Sequence, residues 1–132
     1  MAMSRSAFES GRTGKGSAFA SDHSGSVHAV AMRHSAKALA PLGLLSIWFI
    51  VGLVGKPYEA ARAELGRPFP AIVLIAFIAI VAYHARLGVE TIIEDYVHDE
   101  GLKAKALLVN KWLAIAIGAV WTLSILIIAA PR

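Results

Sequence analysis

Apolar residues run along this chain in three long blocks separated by short polar intervals. They read SAKALAPLGLLSIWFIVGLVG at about 35–55, PAIVLIAFIAIVAYHARLGVETIIEDYV at about 70–97, and LLVNKWLAIAIGAVWTLSILIIAA at about 107–130. A helix that crosses a bilayer needs about 20 apolar residues, so the pattern predicts three transmembrane helices. Pro41 falls early in the first block, where a proline is tolerated or gives a mild kink. Lys37 can snorkel to the headgroups, and Asn110 and Lys111 mark the entrance to the third block. Pro70 is a good helix-opening residue. The interval 56–69 is polar and bracketed by prolines, and is expected to hold a short helical turn on the membrane surface. The interval 98–106, HDEGLKAKA, is expected to be a loop turning at Gly101.

Residues 1–33 form a Ser/Gly-rich stretch without sustained periodicity, expected to be a flexible polar arm in front of a membrane domain at 34–132. No apolar run of signal-peptide length occurs before residue 36. His23, His28 and His34 lie in or just after the arm at spacings that suit neither one helical face nor a common metal motif, so they read as solvated.

Composition agrees with the block pattern. The chain is 57% hydrophobic, against about 45–50% for soluble domains. It has no cysteine, which excludes disulfides, thiol nucleophiles and iron–sulfur ligation by this chain. The net charge of +4 forms no dense basic stripe, so nucleic-acid binding has no support. Position matters more than the sum. With the N-terminus inside, eight Lys and Arg (5, 12, 15, 33, 37, 103, 105, 111) lie inside and four (56, 62, 67, 132) outside. That asymmetry favours N-in, C-out.

The second block carries the chemistry. Its 28 residues make about 42 Å of helix against about 30 Å of hydrocarbon, so its last turns must emerge. His84 lies about 21 Å from Pro70, inside the hydrocarbon. Asp95 and Tyr96 lie about 16 Å further on, at the interface. On a helical wheel Gly88, Thr91 and Asp95 fall within about 40° of His84, with Tyr96 beside that stripe. Arg86, Glu90 and Glu94 fall on the other side, spaced to pair. A histidine at membrane depth is costly and needs a partner or a cavity. Imidazole is also a common axial ligand for haem iron. Gly88 leaves a bare patch where a flat macrocycle could approach, or where helices pack closely. Residue types alone leave open a haem ligand, a proton or quinone role, and a histidine bonded to a neighbouring helix.

The unbroken stretch HARLGVETIIEDYV, with His84, Gly88 and then Asp95-Tyr96-Val97, resembles the second transmembrane helix of the hydrophobic membrane anchor family of succinate dehydrogenase. The resemblance extends over about residues 34–130. It implies an all-α integral membrane protein whose three helices form half of an anchor bundle. A second membrane anchor, the cytochrome b subunit, would supply the other half. His84 would be one axial ligand of a haem b shared with that partner, with Gly88 packing near the haem. Tyr96 would hydrogen-bond ubiquinone, and Asp95 would support that site. An iron–sulfur subunit and a flavoprotein would complete a succinate:quinone oxidoreductase, in which this chain is not catalytic alone. The expected location is the bacterial inner membrane, with a cytoplasmic N-terminus and a periplasmic C-terminus. An anchor of a quinol:fumarate reductase is the close rival. A small non-redox membrane protein with a proton-relay helix is the rival from another class.

Overall fold

The computed structural model describes residues 24–130. Among them are four helices and no strand: α1 (Ser24–Val51), α2 (Tyr58–Leu65), α3 (Pro68–Tyr96) and α4 (Glu100–Ala129). Three are long and apolar enough to cross a membrane: Ser26–Val51, Pro68–Tyr96 and Glu100–Ala129. Their large side chains face outward; Trp48 is 76% exposed and Trp121 60%. Lipid tails are as apolar as these residues, so they need no protein interior.

The two largest differences from the sequence reading are at the start of α1 and the start of α4. The arm and His23 lie outside the described residues as far as residue 23, but from Ser24 the chain is already helical. Ala29, Ala31, Ala36, Ala38 and Ala40 are strong helix formers, and the early turns are held against α3. Pro41 therefore sits in the interior of α1, where it leaves the Lys37 carbonyl without an i+4 donor. The expected loop 98–106 contracts to residues 97–99. Asp99 caps α4 by accepting the Leu102 N–H at 2.7 Å, and Glu100 in the first turn suits the helix dipole. Gly101 thus belongs to that first turn.

α3 is the central helix, with α1 and α4 as its main neighbours. The α1 seam keeps a constant antiparallel register. His28 meets Thr91, Met32 approaches Gly88, Ser35 meets His84 and Gly43 faces Phe77. Near the His84 end, steps of three or four along α1 are matched by steps of three or four back along α3, the spacing that keeps one helical face in contact. The α4 seam brings Gly118 against Ala82 and packs Ile125 with Ala71 and Leu74. α2 closes the far end. The Arg62 side chain donates to the carbonyls of Ile128 at 3.3 Å and Ala130 at 3.5 Å, satisfying groups that the end of α4 leaves open. Phe49 and Phe69 meet edge to face at 5.8 Å and tie α1 to the start of α3.

Candidate functional site

His84 is half-buried on α3, about three turns from the C-terminal end of that helix. Its Nδ1 lies 2.8 Å from Ser35 Oγ on α1. Ser35 is buried, and its hydroxyl donates to the Met32 carbonyl at 3.0 Å. Among the described residues Nε2 receives no hydrogen bond. One turn on, Gly88 lies against α1, where an added Cβ would sit 4.0 Å from the Met32 methyl. Thr91 meets His28 Nε2 at 3.1 Å and also donates to the Leu87 carbonyl. The stripe expected around His84 is therefore the face that α1 covers, as far as Thr91. His28 is part of that seam and half-buried, so its reading as a solvated arm residue is corrected. His34 is exposed and bonds its own turn at Val30.

Asp95 and Tyr96 end α3 beyond the cover of α1. Both are exposed, Tyr96 at 77%. Neither makes a side-chain hydrogen bond to another described residue. The carboxylate of Asp95 lies near a helix C-terminus, where the dipole disfavours an anion. Tyr96 presents its hydroxyl at the exposed C-terminal end of α3.

Arg86 pairs with Glu90 at 3.8 Å, as the spacing suggested, but these residues flank the α1 seam rather than lying on the far side of the helix from it. With Glu94, His28 and Tyr83 they line a cavity of about 440 Å³ between α1 and α3. The Arg86 backbone carbonyl accepts from Asn110 Nδ2 at 2.9 Å. Asn110 is buried and is the polar clamp between α3 and α4, a role sequence reasoning missed when it read the residue as a helix entrance.

No group of three or more His, Asp or Glu that could hold a bare metal ion occurs among the described residues. A haem asks less of one chain: a single nitrogen lone pair on a ring that is held still. His84 fits, because its other nitrogen is engaged by Ser35 and the half-buried ring is held against α1.

The family described as succinate dehydrogenase/fumarate reductase transmembrane subunit matches residues 16–127. The succinate dehydrogenase hydrophobic membrane anchor subunit of Paracoccus denitrificans is 33% identical over 106 residues, 79% of this chain and 81% of that protein. The corresponding subunit of Rickettsia felis is 35% identical over 75 residues, 57% of this chain and 62% of that protein. No solved structure matches. With three membrane-length helices and a family match across most of its length, the chain belongs to the family of succinate dehydrogenase hydrophobic membrane anchor subunits.

Proposed function

We propose that this chain, a multi-pass membrane anchor subunit of succinate dehydrogenase, supplies one axial ligand to a haem b through His84. Tyr96, supported by Asp95, would form part of a ubiquinone-reduction site. The observation that carries the reading is that one helix holds both groups. A half-buried ring with one engaged nitrogen lies on the α1–α3 seam, and an exposed tyrosine ends the same helix.

The roles follow from position. The haem, when bound, supplies a one-electron store within the membrane. Ser35 and the α1 seam keep the His84 ring oriented. Gly88 keeps the neighbouring turn free of a side chain. Tyr96 sits where a quinone ring can meet water-borne protons while its isoprenoid tail stays in lipid. Its hydroxyl can donate to a quinone carbonyl oxygen and stabilise negative charge developing there. Asp95 would pair with a cation of the second anchor, the cytochrome b subunit, which would also bring the second haem ligand. The iron–sulfur subunit would dock over the Tyr96 end, with the flavoprotein beyond it. Charge asymmetry supports placing that end, and the N-terminus, on the cytoplasmic side of a bacterial inner membrane.

The test is the Tyr96→Phe variant in the assembled complex. Succinate-driven ubiquinone reduction is expected to fall roughly tenfold, about the loss of one hydrogen bond of about 1.4 kcal/mol. Succinate oxidation with a soluble dye and haem content should both stay at wild-type level. Parallel loss of all three would assign Tyr96 to assembly instead.

A further inference from the structure

A neutral imidazole carries one N–H, and a serine hydroxyl has one hydrogen to give. The Ser35 oxygen lies within reach of two atoms, the Met32 carbonyl oxygen at 3.0 Å and His84 Nδ1 at 2.8 Å. A carbonyl oxygen can only accept. If Ser35 gave its hydrogen to Nδ1, its oxygen would face the Met32 carbonyl with no hydrogen between them, in a buried site. Both contacts are satisfied together in one arrangement alone: Ser35 donates to Met32, and His84 Nδ1–H donates to Ser35. The lone pair of the ring is then on Nε2.

From this chain we infer that Ser35 is a positioning residue, selecting the Nε2 lone-pair tautomer of His84 and fixing the plane of its ring for axial ligation. The inference rests on the reading of His84 as a haem ligand. A ligand imidazole that donates its second N–H is oriented and made a stronger donor. The carbonyl that receives the hydroxyl is part of α1, so the electronic character of the site depends on the register of α1 against α3. The seam contacts at Met32–Gly88 and His28–Thr91 hold that register on the interfacial side.

The experiment is a redox titration and a low-spin ferric EPR spectrum of the purified whole complex, for wild type, Ser35→Ala, Ser35→Thr and His84→Ala. Ser35→Ala is expected to raise the haem midpoint potential, because a weaker donor stabilises ferric iron less, and to displace the largest g value. Ser35→Thr keeps a hydroxyl and should return both toward wild type. Haem lost in Ser35→Ala but kept in Ser35→Thr also supports the assignment. A Ser35→Ala complex with wild-type potential and g values overturns it, as does equal loss of haem in both Ser35 variants. If wild type holds no haem b, or His84→Ala keeps an unchanged haem signal, the ligand reading itself has failed, a result distinct from those two.

Discussion

Along α3, the seam with α1 is polar where it matters, joining His84 to Ser35 and Thr91 to His28. The seam with α4 sets Gly118 against Ala82 and carries one side-chain hydrogen bond, Asn110 to the Arg86 carbonyl. Inside a bilayer no hydrophobic force draws helices together, so close approach of small residues supplies the contact energy. Polar groups there must find partners, and finding them fixes the register. The α4 seam thus holds the bundle together, while the α1 seam decides how one ring is presented.

That difference predicts two separable kinds of damage. Gly118→Leu should have the largest effect on stability. A Cβ at 118 would already lie 3.5 Å from the Ala82 methyl, so alanine is expected to be accepted there. The larger side chain should cost about 1–3 kcal/mol through overpacking. Thermal melting of the purified complex in detergent should show a lower midpoint for Gly118→Leu and a near-normal one for Gly118→Ala. Equal melting of both variants would mean that this crossing is not tight.

Asp99→Ala serves as a probe outside both seams. It removes the cap on α4 and should cost about 1 kcal/mol. The haem spectrum should not change, and a spectral change would show that the α3–α4 turn reaches the haem site. Thr91→Val should be the mildest. It deletes one interhelical hydrogen bond to His28, worth about 0.6 kcal/mol on average in membrane helices. Melting should barely move, whereas hydrogen exchange at the backbone of residues 26–32 should quicken. Unchanged exchange would show that the His28 contact does not restrain α1.

The three spans were legible because a water-soluble fold of this size has no core large enough to hold three apolar blocks of membrane length. His84 was legible for a related reason, since an imidazole at that depth needs a purpose. The start of α1 was not. Its Ser- and Gly-containing lead reads as a loop, whereas Ala29, Ala31 and contact with α3 together hold the turns around His28 and Met32 in the helix. Gly101 misled because glycine suggests a turn, while the Asp99 cap two residues earlier had already opened the helix. Ser35 was missed because serine carries little signal alone and its partner lies 49 residues away. A signal was present: residues 28, 32 and 35 follow the same helical spacing as 84, 88 and 91.

The most direct measurement is a dithionite-reduced minus oxidised spectrum of the complex purified through this chain, for wild type and for His84→Ala. The account predicts a b-type haem signal in wild type that is lost or displaced in the variant. A wild-type complex that contains its partners but gives no haem signal would contradict it. In that case His84 would be a histidine tied to Ser35 for packing or proton transfer alone.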